Sequence, residues 1–511
     1  MPVSKIFSAT ISGLEALPIE IETDISQGLP SFLIVGLPDK SVEESKERVR
    51  AALKNSGITF PSRRITVNLA PADIKKEGPA FDLPIAIAIV LAAGFLKELP
   101  LNSLFVGELA LNGSLRPVSG ILPIVIMAKK KKIKKIFLPE ENVKEAALVP
   151  SLEIYPLKNL SQLISHLKKE KEISCYKGGS TSLKLRKAKS DDFDFDFAYI
   201  KGQEQAKRAL EIAASGMHNV LMTGSPGGGK TLLARAIATI MPKMSEEEMF
   251  EVSKIYSVAG LLSQDIPLVV ERPFRNPHHT SSNIALVGGG QKPKAGEITL
   301  SHQGVLFLDE LPEFNRSVLE ALRQPLEDRV ITVSRAAGTL TFPAHFLLVG
   351  AMNPCPCGYL NDPKKQCICS ASQIIHYQKK ISGPLLDRID IHLEVPPVKF
   401  EKLTDDNLAE NSAAVRRRVE KARQIQAKRF SKEKYKTNTA MKLSQIKKIC
   451  VLDEKSQDLL KTAVNNLGLS ARAYHKILKT ARTIADLEGV ENILPAHIAE
   501  AIQYRPKEVV Y

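Results

Sequence analysis

Tryptophan is absent from this 511-residue chain, and aromatic residues make up only 5% of it. A platform of stacked rings is therefore not the expected means of gripping a nucleic acid. Cysteine is scarce as well, six in all. So few thiols in so long a chain exclude a disulfide framework and predict a reducing, cytoplasmic location. The opening MPVSKIFSAT has no apolar stretch of the kind that makes a signal peptide. The longest apolar run, LPIAIAIVLAAGFL at residues 83–96, contains Pro84 and Gly94. It is too short to cross a bilayer, reads as a buried core helix, and gives no reason to expect a membrane partner. Length alone argues against a single hydrophobic core and for roughly two to four domains.

What the chain has in excess is positive charge, a formal +15. The basic residues cluster in KKKKIKK (residues 129–135) and VRRRVEKARQIQAKRFSKEKYK (residues 415–436). Taken singly, each cluster is equally well a solvated helix face. Together they make nucleic acid the leading partner class.

Composition divides the chain into four stretches. Residues 1–168 alternate short apolar runs with amphipathic helices, an α/β pattern. Within them SVEESKERVRAALKNSG reads as a helix: Ser41 and Glu44 have the spacing of a capping box, Gly57 is a stop, and Val42, Val49 and Leu53 share a face. Residues 169–198 are polar, charged and rich in glycine and serine, a linker. A second α/β region follows at 199–398, and 399–511 has helical periodicity with almost no strand signal.

The strongest motif is NVLMTGSPGGGKTLLARAIA. Val220 to Met222 make a short buried strand, Gly224-Ser225-Pro226-Gly227-Gly228-Gly229-Lys230-Thr231 fits G-x-x-x-x-G-K-[ST], and a helix pattern follows. Backbone N–H groups of such a loop close around phosphates at a helix N-terminus. Lys230 would reach the β- and γ-phosphates, and Thr231 would ligate Mg²⁺. Some eighty residues on, GVLFLDELPEF predicts a buried strand over 305–308 that ends in Asp309, for the Mg²⁺ shell, and Glu310, to polarise the attacking water. The pair of motifs marks a nucleotide hydrolase using ATP and Mg²⁺.

Further elements follow in order. Residues 331–334 and 339–342 read as a hairpin with Arg335 near its tip. A buried strand at 346–350 leads to Asn353, SGPLLDRIDIHLEVP sets Arg388 just before another strand, and Arg472 lies on an amphipathic helix. This order resembles the AAA+ ATPases, more narrowly their magnesium chelatase-like branch. The strings NLAPADIKKEGPAFDLPIAIAI, NPHHTSSNIALVGGG, MNPCPCG and GPLLDRID resemble the bacterial YifB/ComM family over nearly the whole chain. The resemblance implies an AAA+ P-loop core with an α-helical lid. It makes Asn353 sensor 1, Arg388 an arginine finger acting on a neighbouring subunit of a homo-hexamer, and Arg472 sensor 2. By their chemistry alone both arginines are equally ordinary ion-pair residues. The resemblance further implies a DNA helicase of the ComM type, which promotes branch migration as incoming single-stranded DNA is integrated. Single-stranded or branched DNA is then the expected partner, with recombination proteins as candidate ones. The competing expectation is a chelatase-type motor that remodels a protein partner.

Between the Walker motifs, Gly288, Gly289, Gly290, Lys292 and Lys294 form a basic glycine-rich loop. With Arg335 it is a candidate for phosphate contact, or a solvated loop. His278 and His279 lack an obvious metal-ligand partner, which favours a structural role. In the first region, APADIKKEGPAFDLPIA and VGELALNGSLRPVSGILPIVIMA resemble the proteolytic, ribosomal S5 domain 2-like domain of the Lon family. The positions of that family's Ser-Lys dyad hold Ala80 and Leu122, which offer neither nucleophile nor base. Finally, Cys355, Cys357, Cys367 and Cys369 sit together in one short loop directly after Asn353. They suit a closed tetrahedral zinc site with a structural role, or are reduced packing cysteines.

Overall fold

SKIFSATIS and EALPIEIETDIS alternate apolar with polar residues and are parted only by Gly13 and Leu14. In the computed structural model they form the antiparallel hairpin Ser4–Ser12 and Glu15–Ser26, with Ser12 opposite Glu15. The structure describes residues 3–179, 195–265, 267–290, 294–335, 338–360, 362–398 and 409–506. The chain divides into two units, Met1–Ala188 with Glu246–Val270, and Lys189–Ser245 with Glu271–Tyr511.

The first unit is built on an eight-stranded mixed sheet with the hairpin near its middle. Strands Arg64–Ala70 and Ser31–Val35 extend it on one side. Ser103–Phe105, Lys135–Pro139, Glu153–Leu157 and the two-residue Tyr176–Lys177 extend it on the other. Helix Asp82–Ala92 is apolar all round and buried along nearly its whole length, as the run at 83–96 led one to expect. Its Asp82, fully buried, accepts from Arg48 Nε at 2.6 Å and Nη2 at 3.0 Å, and burial still holds its carboxyl up at about 6. Helix Lys40–Asn55 buries Val42, Val49 and Leu53 completely. Its cap is Asp39, whose carboxylate accepts from Val42 N at 2.9 Å, and not Ser41. An acid two residues earlier reaches the free amides of the first turn, which places Ser41 inside the helix.

Helix Glu246–Ala259 belongs to this unit although the P-loop precedes it in the chain. It lies against helix Ile121–Lys130, and its Phe250 packs on the core formed by Ala9, Leu104 and Ile124. The buried Glu145 carboxylate accepts from Ser257 Oγ at 2.5 Å and from Leu122 N at 2.8 Å.

In the second unit five strands form an all-parallel sheet in the order Phe274–Arg275, Val305–Leu308, Leu347–Met352, Val220–Thr223, Ile391–Glu394. The strands are apolar runs because helices cover both faces. Phe307, Leu347, Val349 and Val220 have no exposure, and each such side chain contributes roughly 1.5–3 kcal/mol by leaving water. Helices Ser412–Arg429 and Ala471–Glu488 share this core through Val415, Val419, Ile477 and Ile484. Strands Val330–Arg335 and Gly338–Pro343 pair as the expected hairpin, Arg335 opposite Gly338. No helix among the described residues is long and apolar enough to cross a membrane.

Candidate nucleotide site and cysteine cluster

Strand Val220–Thr223 runs into the loop Gly224–Gly229, and helix Lys230–Ile240 begins at once. Gly224 is required by space: a Cβ there would meet the carbonyl oxygen of Val395. Lys230 is nearly buried, and its Nζ donates to the carbonyls of Gly224 (2.6 Å) and Ser225 (3.0 Å) and to Asn353 Oδ1 (3.2 Å). Burial lowers its pKa from the usual lysine value. The lysine folds back along the loop that a phosphate would fill, so the anion would meet a charge already in place.

The neighbouring strands bring the acids to the same end of the sheet. Thr231 Oγ1 donates to Asp309 Oδ2 at 2.8 Å, the pairing expected of two residues that share a Mg²⁺ shell. Glu310 follows with φ 51° and ψ 47°, a left-handed conformation that is costly for a residue with a side chain. Its Oε2 lies 3.3 Å from His279 Nδ1. His279 thus faces the acid that ends the strand, a proximity that 30 intervening positions hide from the sequence. A cleft of about 570 Å³ is lined by Glu310, Asn353, Pro356, His376, Tyr377 and Lys380.

Arg388 and Arg472 come together at one carboxylate. Both meet Glu327: Arg388 Nη2 pairs with Oε2, and Arg472 Nη2 stands 3.5 Å from Oε1. Arg388 Nη1 also donates to Pro384 O at 2.6 Å. Asp390, two residues on, is buried and accepts from Asn219 N at 3.0 Å, with Lys476 Nζ 3.2 Å away. Burial favours its neutral form, but Lys476, His218 and Arg505 outweigh that and hold it well below the carboxylate range. Of the basic candidates, Lys292 lies outside the described residues, as do the side chains of Lys294 and Arg335; the backbone of Lys294 pairs with Gly289.

The four cysteines converge. All four sulfurs lie within 4.8 Å of one another, with Cys355 fully buried. Cys355 Sγ stands 3.4 Å from Cys357 Sγ and 3.7 Å from Cys367 Sγ, and the Cys357–Cys367 distance is 3.6 Å. A disulfide would need about 2.05 Å. Four sulfurs around one zinc at about 2.3 Å would stand about 3.8 Å apart, so the set fits a tetrahedral thiolate site with no open position. The backbone amides of Tyr359 and Ile368 draw the Cys357 thiol down to about 6. Cys367, despite a backbone bond from Cys369, is pushed up to about 12, and Cys369, despite one from Cys357, is raised too, by burial and the neighbouring sulfurs. The fit to a metal therefore rests on the sulfur geometry.

Ala80 and Leu122, in the first unit, carry no group able to attack or to take a proton. Leu122 is packed in the core with no exposure.

Residues 196–403 match the family model of magnesium chelatase subunit ChlI, residues 21–142 that of subunit ChlI of Mg-chelatase, and residues 409–505 the ChlI C-terminal model. The chain is 43% identical to competence protein ComM of Haemophilus influenzae, over 99% of this chain and 98% of that protein. It is 40% identical to the uncharacterised protein YifB of Escherichia coli, over 99% and 97%. A quarter of the chain is 30% identical to 17% of Lon protease of Rhizobium meliloti.

Proposed function

Because this chain belongs to the ComM and YifB family of magnesium chelatase-like AAA+ proteins, we propose that it is a DNA-dependent ATPase, a ring-forming helicase that drives branch migration in recombination or in the uptake of DNA. The observation that carries the motor is the convergence of Lys230, Thr231, Asp309 and Glu310 on one end of the parallel sheet. Lys230 and the loop amides hold the β- and γ-phosphates, Thr231 and Asp309 hold Mg²⁺, Asn353 orients the γ-phosphate, and Glu310 takes the proton of the attacking water. DNA as the partner is supported by the charge of +15 and by full-length likeness to a protein named for competence.

Arg388 and Arg472 share Glu327. On this reading Arg388 serves the nucleotide bound by a neighbouring copy of the chain in a hexamer, and Arg472 acts as sensor 2. The four thiolates hold a structural zinc. Without a nucleophile at position 80 or a base at 122, the first unit is an accessory module and not a protease.

The test is steady-state ATP hydrolysis alone and with single-stranded, forked and four-way-junction DNA, with Lys230→Ala as the blank. Stimulation by branched DNA is expected. A rate indifferent to all three favours a motor that remodels a protein partner, the reading to which the three chelatase-subunit matches lend weight.

A further inference from the structure

Between strand Leu347–Met352 and helix Ala371–Gln378 there is no helix or strand among the described residues. This stretch nevertheless touches the phosphate loop at three points. Asn353 Oδ1 meets Lys230 Nζ at 3.2 Å. Gly358 lies flat against Pro226, so that a Cβ at position 358 would stand 2.7 Å from Pro226 Cδ. Asp362 Oδ2 accepts from Ser225 Oγ at 2.6 Å. The other oxygen of Asp362 is held by its own loop, accepting from Lys364 N at 2.9 Å and Lys365 N at 3.1 Å. Thus the carboxylate is fixed on one side and grips the phosphate loop with the other. The four clustered thiols bracket Gly358 and Asp362 in the chain.

We propose that Asp362 is a positioning residue of the phosphate loop, through which metal occupancy of the four thiols sets the affinity for nucleotide. The inference rests on reading residues 224–231 as the nucleotide site and the thiols as a zinc site. A cluster too small to have a core of its own takes its shape from the cation. With the cation bound, Asp362 and Gly358 hold Ser225 and Pro226 in the conformation that aims backbone N–H groups at phosphate. With the cation gone, the thiolates no longer share a partner, Asp362 is no longer presented, and nucleotide must order the loop itself on binding. Asp362 touches no reacting atom; it acts through Ser225.

The experiment is equilibrium titration of the full chain with a fluorescent ATP analogue and Mg²⁺, read by anisotropy, with no DNA present. Wild type, Asp362→Ala, Asp362→Asn and Ser225→Ala are each compared as purified and after a strong chelator, with zinc counted in both states. Lys230→Ala confirms that the probe reports the phosphate loop. Chelation is expected to weaken binding by wild type roughly threefold to tenfold, the scale of a lost, partly exposed hydrogen bond. Zinc-loaded Asp362→Ala and Ser225→Ala should already be weakened by a similar factor and respond little to chelation. Asp362→Asn, which can still accept from Ser225, should retain most of the affinity. The proposal is overturned if zinc is absent from purified protein, if zinc-loaded Asp362→Ala binds as wild type does, or if chelation acts equally on both. Should the stripped protein lose its fold by circular dichroism, the zinc-loaded variants decide alone. Absence of DNA stimulation would count against the motor reading and leave these titrations unaffected.

Discussion

Glu310 occupies a backbone conformation that glycine adopts freely and an acid does not. Such a residue persists only where its surroundings hold it, here the strand behind it, the turn Leu311–Glu313 ahead, and His279 at 3.3 Å. If Glu310 polarises water, Glu310→Gln should retain nucleotide binding while hydrolysis falls at least about a hundredfold. His279→Ala should slow turnover less, by roughly tenfold, with KM little changed, because it orients the acid and does not touch the phosphate. Steady-state kinetics on the two variants separates base from support. A His279→Ala enzyme with unaltered kcat would remove that histidine from the site.

At the scale of elements, the cap of helix Lys40–Asn55 invites a direct comparison. Asp39 accepts from Val42 N at 2.9 Å and from Gly78 N at 3.3 Å, joining the helix start to the turn beside it. Asp39→Ala should lower stability by about 1–2 kcal/mol, whereas Ser41→Ala should change it by less than about 0.5 kcal/mol. Thermal unfolding midpoints of the two variants give the answer.

The strand, loop and helix around residues 220–240 were legible in the sequence because everything that makes them lies within twenty residues: an apolar run, obligatory glycines, a helix start. The same holds for the strands Val305–Leu308 and Leu347–Met352, and for the buried helix Asp82–Ala92. The helix start at residue 40 was misplaced because Asp39 and Ser41 are both good caps and only backbone geometry chooses between them. The meeting of Arg388 and Arg472 at Glu327, and of Asp362 with Ser225, joins positions 61, 145 and 137 residues apart. No periodicity or spacing rule reaches that far, since such pairs are set by how elements pack and not by local propensity.

For the molecule as a whole, the buried histidines make stability depend on pH. His345 is buried against Tyr435, ring centroids 4.2 Å apart, and close to Arg329. Burial first, then the Arg329 charge, holds its pKa well below 6.5. His218, fully buried beside Thr483, is lowered too, burial again leading. The unfolded chain takes up protons at these positions near pH 6.5 and the folded chain does not. Their contribution is therefore complete above about pH 6.5 and is lost as pH falls below it, by about 1.4 kcal/mol per pH unit for each histidine until the folded value is reached. Scanning calorimetry at pH 7.5, 6.5 and 5.5 should show the midpoint of wild type falling over the last interval. His345→Gln should fall less; an equal fall would show that acid acts elsewhere.

Helix Glu246–Ala259 has a consequence for the order in which the protein comes into being. A chain leaves the ribosome at about 5–20 residues per second. The strand that ends the first sheet, Tyr176–Lys177, emerges long before the helix that supplies Phe250 and Ser257 to the same unit. For the roughly 4–16 seconds that separate them at that rate, the apolar face of helix Ile121–Lys130 waits without its cover and Glu145 without its hydroxyl. Synthesis of the phosphate loop falls inside that interval. The first unit is thus begun before the phosphate loop and completed only after it, and a nascent chain halted at residue 179 is an unfinished object and not a released domain.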